Sequence, residues 1–130
     1  MKKGFVTNIE KETLENTDYR RVLYTAEHSQ LVVMSLRPGE EIGEETHTLD
    51  QFIRVEAGAA KVVLNGTDEH MLSADDAVVI PAGTLHNVIS TGDSDLKLYS
   101  IYAPPEHKDG TVHNTKADEK EEHFDGMTTE

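Results

Sequence analysis

The sequence predicts an all-β domain, an antiparallel sandwich or barrel of short strands. Three observations predict it. Val, Ile and Leu are concentrated between residues 31 and 103, in runs of four to seven residues. Turn signals built on Gly, Pro, Asn and Asp interrupt those runs roughly every 8–12 residues. Within the runs, apolar and polar residues tend to alternate, the period of a strand with one buried face. Antiparallel sheets of this kind protect their edges by closing on themselves.

The elements follow in order. Residues 1–30 are mixed and polar, with one alternating run at 19–25. The run 31–36 ends at Pro38-Gly39, and 51–57 ends at Gly58. Residues 59–64 meet Asn65-Gly66, a two-residue hairpin signal because both positions need positive φ, and 67–72 return from it. The run 77–80 stops at Pro81-Ala82-Gly83, 85–90 stops at Thr91-Gly92-Asp93, and 96–102 closes the series. Alternation gives directions. Gln51, Ile53 and Val55 face inward, with Gln51 at the inner mouth of its strand, while Phe52, Arg54 and Glu56 face outward. His86 shares a face with Val88 and Ser90, and Glu45 and His47, two apart, point the same way if extended. After Pro104-Pro105 comes a tail with eight acids and three lysines from Glu106 onward. Thr115 and Asp118 have the spacing of a capping box, so a short helix running on toward His123 is expected. It has almost no apolar stripe, which predicts a surface or frayed segment. The expected organisation is an N-terminal extension at 1–30, a barrel at 31–103 and a polar tail at 104–130.

Composition narrows the function. The chain has 130 residues and a mass of 14.4 kDa, the size of one domain. Such a chain buries roughly two thirds of its unfolded surface, enough for a true core. Twelve basic residues against 25 acidic ones give a net charge of −13, and −6 with all seven histidines protonated. That surface repels phosphate backbones and anionic lipid, so neither nucleic acid nor membrane is an expected partner. The absence of Cys excludes disulfides, thiolate catalysis and Cys-ligated metal centres. No run of about 18 apolar residues exists, and the stretch after Met1-Lys2-Lys3 is no signal core, so a cytoplasmic location is expected. A Gly-x-Ser-x-Gly elbow and a phosphate-cradling Gly loop are both missing.

Two segments carry the chemistry. In the first, Gly39 is followed after five residues by Glu45-Thr46-His47, after three more by Gln51, and after six more by Gly58. In the second, Asp75 is followed after five residues by Pro81-Ala82-Gly83, then after two by His86 and after three by Ser90. The pair resembles the two motifs of the cupin superfamily: Gly, five residues, His-x-His, three or four residues, Glu, six residues, Gly; and Gly, five residues, Pro-x-Gly, two residues, His, three residues, Asn. Glu45 stands where the first His would be, Gln51 where the Glu would be, Asp75 for the opening Gly and Ser90 for the closing Asn.

The resemblance covers roughly residues 31–103. It implies a jelly-roll barrel, the double-stranded β-helix, with one divalent transition metal in its mouth. By position the ligands would be Glu45, His47, Gln51 and His86. Imidazole and carboxylate suit Fe, Mn, Ni, Co or Zn, and an amide oxygen is a weak neutral fourth ligand. Three His and one Glu carry −1, and so does this set, through Glu45 alone. The plainer alternatives are an exposed loop His47, a core His86, a Glu45 solvated in the run with Glu40, Glu41 and Glu44, and a Gln51 amide bonded to backbone. His28 and His70 read as surface residues, and Tyr99 and Tyr102 as core or interface. His107, His113 and His123 read as a polar tail, unless His107 or His113 folds over the mouth.

The chain looks like small cupins described as mannose-6-phosphate-isomerase-like, and like small metal-dependent sugar-acid enzymes, some with Gln in the fourth ligand position. This implies an enzyme acting on a small carbohydrate or sugar acid by an isomerase or ring-opening step, with unligated Glu45 or His113 as candidate base. An Fe(II) dioxygenase and a non-enzymatic small-molecule-binding module are the alternatives. Arg54, the only basic residue in the first motif, faces outward, so a phosphorylated substrate is not expected. Small cupins are usually homodimers, and outward Phe52 and Ile89 could form that interface.

Overall fold

A computed structural model describes residues 1–130. The alternating runs become strands β1 Arg20–Thr25, β2 Gln30–Leu36, β3 Asp50–Ala57, β4 Ala60–Leu64, β5 Asp68–Leu72, β6 Ala77–Ile80, β7 His86–Ser90 and β8 Leu96–Ala103, followed by a short β9, Val112–His113. Inward and outward faces fall where the period places them. Gln51, Ile53 and Val55 are buried in β3, as are His86, Val88 and Ser90 in β7. Arg54 lies on the outer face, paired with Glu56 at 2.6 Å and Asp75 at 3.0 Å. Asn65 and Gly66 take φ of 54° and 78°, the left-handed pair a tight hairpin needs to match strand twist. Asp75 also sits at positive φ, 78°, a conformation that the short polar side chain of Asp tolerates where the cupin motif has Gly.

The strands form two antiparallel sheets, of order β6-β3-β8-β2-β1-β9 and β5-β4-β7. Between them lies one core that includes Val32, Met34, Leu36, Ile53, Val55, Val62, Leu96 and Leu98. This is the jelly-roll, double-stranded β-helix arrangement. At Gly58, between β3 and β4, φ is +83° and an added Cβ would lie 2.6 Å from the Asp95 carbonyl oxygen, so the close crossing requires glycine. The free side of β7 is covered by residues 41–45, through bridges Glu41↔Ile89 and Glu45↔His86.

Two features differ from the expectations. A helix, α1 Ile9–Glu15, precedes β1. Asn8 caps it by accepting from the Lys11 N–H at 3.0 Å, and Glu10 and Glu12 face the positive end of its dipole. The tail, in turn, is docked rather than frayed. Of the expected helix only the 3-10 turn Lys116–Asp118 forms, with the Asp118 carboxylate accepting from the Thr115 N–H at 3.0 Å. Buried Gln30 clamps the backbone of His107 from both sides, donating to its carbonyl at 2.7 Å and accepting from its N–H at 2.9 Å. β9 pairs with β1, and Thr129 exchanges hydrogen bonds with Thr25. The tail therefore starts at the barrel mouth and runs along the β1 edge.

Truncation after Pro105 removes the His107 partner of buried Gln30 and the Glu119 and His113 partners of Arg20, and uncovers β1. The melting temperature is expected to fall by more than about 10 °C, roughly 2–3 kcal/mol for a domain of this size. An unchanged melt by differential scanning calorimetry would mean that these contacts contribute nothing to stability.

Candidate metal centre

The site is built on one strand bridge. Glu45 N–H donates to the His86 carbonyl at 2.8 Å, and His86 N–H donates back to the Glu45 carbonyl at 2.9 Å. Residues that exchange both bonds in an antiparallel pair project their side chains to the same face. His47, two residues on, follows Glu45 onto that face. Its carbonyl accepts from the Gly83 N–H at 2.8 Å, so the Pro81-Ala82-Gly83 turn pins the first motif to the second. As a result, a ligand atom from each of Glu45, His47 and His86 lies within 4.8 Å of the others. His47 Nε2 is 3.6 Å from Glu45 Oε2, and the two imidazole centroids are 5.2 Å apart.

A hydrogen bond sets the His86 tautomer. His86 Nδ1 is 2.9 Å from the Thr84 carbonyl, which can only accept, so Nδ1 carries the proton and the Nε2 lone pair is free. His47 Nδ1 stands 3.4 Å from Glu106 Oε2, which places a carboxylate beside that ring without an aligned hydrogen bond. Glu106 was not foreseen. It is mostly buried, and its other oxygen is 3.0 Å from His123 Nδ1. Nothing in an acidic tail singles out one carboxylate; the Gln30 clamp on His107 and the Phe124 N–H bond to the Glu106 carbonyl hold Glu106 at the mouth.

Gln51 is buried at the start of β3. Its Nε2 donates to Ser100 Oγ at 3.3 Å and Tyr102 Oη at 3.2 Å, so the amide is held by side chains rather than by backbone. Its Oε1 is buried without a partner. An orphaned buried acceptor costs about 1–3 kcal/mol, and a cation would satisfy it. Tyr102 links Gln51 to the triad, its ring standing edge-on to His47 at 6.1 Å. The donors present fit a divalent transition ion: two imidazoles, that of His86 with its Nε2 free, one carboxylate, and one unpaired amide oxygen.

Above these residues opens a cavity of about 400 Å³ lined by 14 residues, of which Ile42 is the one hydrophobic side chain. Arg20 and Lys120 line it, so the mouth does hold basic residues, supplied by β1 and the tail rather than by the motif. His113 does not line it; it sits in β9 with Nδ1 3.3 Å from Arg20 Nη1, which removes it as the candidate base. His107 does line it, edge-on to Tyr102. His28 and His70 are on the surface, with side chains 87% and 50% exposed. Burial pushes the Glu45 carboxyl up, against the opposing pull of Arg20 and His86. Burial holds His47 below the usual imidazole range, although Glu106 pulls it up. His107 is pushed down to about 2, first by burial and then by the Arg20 charge.

A family model described as Cupin domain matches residues 32–102. The chain is 50% identical over 122 residues to the uncharacterized protein YrkC of Bacillus subtilis (strain 168), covering 89% of this chain and 66% of that protein, just under two thirds of its length. The crystal structure of BH2720 from Bacillus halodurans superposes with a TM-score of 0.87 at 51% identity, over 89% of this chain and 92% of that one. The structure of KdgF from Halomonas sp. is more distant, with a TM-score of 0.62 and 25% identity over 69% of this chain and 79% of that one.

Two outcomes are expected. In Mn(II) titrations, His47→Ala and His86→Ala each lose most metal binding, and Glu106→Gln binds about 10–100-fold more weakly than wild type because the His47 ring loses the carboxylate beside its Nδ1. Binding by Glu106→Gln equal to wild type would remove that role. Acid stability gives the second. The fold keeps His107 neutral, while the unfolded chain takes up the proton near pH 6.5. Stability from this residue is therefore complete above about pH 7 and falls by about 1–2 kcal/mol by pH 5. In metal-free protein, His107→Phe should flatten the loss in melting temperature between pH 7 and 5; an unchanged slope would contradict it.

Proposed function

The chain belongs to the cupin family, and from that premise we propose that it is a metal-dependent enzyme acting on a small carbohydrate or sugar acid, by an isomerase or ring-opening step. The observation that carries the proposal is the convergence of Glu45, His47 and buried His86 within 4.8 Å, with Glu45 and His47 lining a polar cavity. Glu45, His47, Gln51 and His86 would hold one divalent ion, Fe, Mn, Ni, Co or Zn. A divalent ion bound there supplies Lewis acidity toward a carbonyl or hydroxyl oxygen. The protein's own residues do the rest. Glu106 sets a carboxylate beside the His47 ring, Thr84 fixes His86, and Ser100 with Tyr102 turns the Gln51 amide so that its oxygen is the unpaired end.

The lining favours an oxygen-rich ligand. A cavity of about 400 Å³ takes a small molecule, and a wall with one hydrophobic residue offers hydrogen bonds rather than apolar contact. This weighs against a module for apolar ligands. A second enzymatic reading, an Fe(II) dioxygenase, is favoured by one feature: two His and one carboxylate match the facial arrangement of non-haem iron sites. Oxygen consumption on adding substrate to the Fe(II) form separates it from an isomerase, which consumes none. We further propose a cytoplasmic homodimer. On the outer face of the large sheet Phe52 lies beside Val79 and Ile101, which are 65% and 38% exposed; Ile89, on β7 of the smaller sheet, lies apart from this patch.

The role of charge is testable by exchange. Glu45→Gln removes the sole anionic ligand and should weaken metal binding more than Gln51→Ala, whose place water can take. Gln51→Glu should tighten binding and slow turnover, because a second carboxylate neutralises the ion and dulls its Lewis acidity. Metal titration at fixed pH measures the first two effects; if Glu45→Gln binds like wild type while His47→Ala does not, Glu45 is not a ligand.

A further inference from the structure

Arg20 opens β1 with its side chain only 5% exposed. A buried guanidinium offers five N–H groups in a planar fork and matches carboxylate oxygens two at a time. Here that capacity is underused. Nη1 donates to Glu119 Oε2 at 2.7 Å and lies 3.3 Å from His113 Nδ1, while Nε is buried with no partner. The guanidinium carbon stands 5.3 Å from the Tyr19 ring centroid. Arg20 lines the same cavity as Glu45 and His47. Its carboxylate partner does not come from the barrel. Glu119 follows the 3-10 turn of the tail, its side chain is 34% exposed, and its carboxylate has Arg20 as its bonding partner.

We propose that Arg20 anchors the carboxylate of an acidic substrate, a sugar acid or other hydroxy acid, and that Glu119 occupies this anchor until the substrate displaces it. The exchange keeps the buried cation paired throughout. Removing one partner of a buried pair without replacement is strongly unfavourable, whereas swapping one carboxylate for another conserves charge. The incoming group takes the Nη1 position that Glu119 vacates and can add what Glu119 leaves unmade there, a second hydrogen bond from the neighbouring Nη2. The rim residues Glu44, Glu121 and Glu122 also line the cavity, where they outnumber its other cation, Lys120, and oppose long-range attraction of an anion. They are exposed and screened, so contact with Arg20 rather than steering selects the carboxylate. A neutral sugar has nothing to offer in exchange for Glu119.

This deepens the proposed function and rests on it for the class of substrate. The test uses the full chain stripped of metal, so that it is independent of the metal centre. Glycolate, the smallest hydroxy acid, is titrated against ethylene glycol, its uncharged counterpart, and the Arg20 Nε–H resonance is followed by NMR. Glycolate should shift that resonance saturably and ethylene glycol should not. Glu119→Gln should tighten glycolate binding by about two- to fivefold, the scale of a partly exposed ion pair. Arg20→Gln should abolish the glycolate-induced shifts in neighbouring mouth residues; should that variant fail to fold, Glu119→Gln decides alone. A glycolate titration that leaves the Arg20 Nε–H unmoved, or a Glu119→Gln protein that binds glycolate no more tightly than wild type, overturns the anchor and leaves the metal reading standing. Loss of metal binding in other experiments leaves the anchor standing.

Discussion

The reciprocal pair of backbone hydrogen bonds between Glu45 and His86 is the constraint on which the site depends. Residues 41–45 form no strand of their own, yet these two bonds and the Glu41↔Ile89 bridge make them the outer edge of the smaller sheet. Facing positions in such a pair share a side, so one bridge places a carboxylate beside an imidazole. The pleat then carries His47 to the same spot. Neither local propensity nor the side chains themselves would hold Glu45, His47 and His86 within 4.8 Å. The register does, and the Gly83–His47 hydrogen bond locks it.

Around this frame the tail completes what the barrel leaves unfinished. The barrel contributes a buried cation, Arg20, an inward amide, Gln51, and an imidazole, His47. Glu119 and Glu106, both from the tail, pair with the cation and the imidazole. Buried charge is tolerated when it is paired, and the pairing here spans 99 residues for Arg20 and Glu119. The acidic tail is therefore the electrostatic counterpart of the mouth. This accounts for docking by a segment with almost no apolar surface: Gln30, Arg20 and the β1 edge supply polar anchors in place of a hydrophobic stripe.

What was legible in the sequence divides along the same line. Strand limits agree with the alternating runs to within about a residue, because strand ends are set by local turn chemistry: Asn65-Gly66, Gly58, Pro81-Ala82-Gly83. Glu45, His47 and His86 were legible through spacing, since register preserves spacing. Arg20 and Glu106 were not. They lie outside residues 31–103 and reach the mouth through contacts between residues far apart in the chain, to which no local pattern points. α1 went unread because a seven-residue helix with its Leu14 40% exposed shows no apolar stripe. The tail differs for the converse reason: a missing stripe predicts a surface or frayed segment, whereas its anchors are ion pairs and backbone bonds.

The central claim is that Glu45, His47, Gln51 and His86 form a metal centre. Elemental analysis of protein purified without chelator and without nickel resin tests it most directly. A metal centre requires about one Fe, Mn, Ni, Co or Zn per chain, lost on His86→Ala. Protein that carries none of these, and takes none up when offered each in turn, would contradict it.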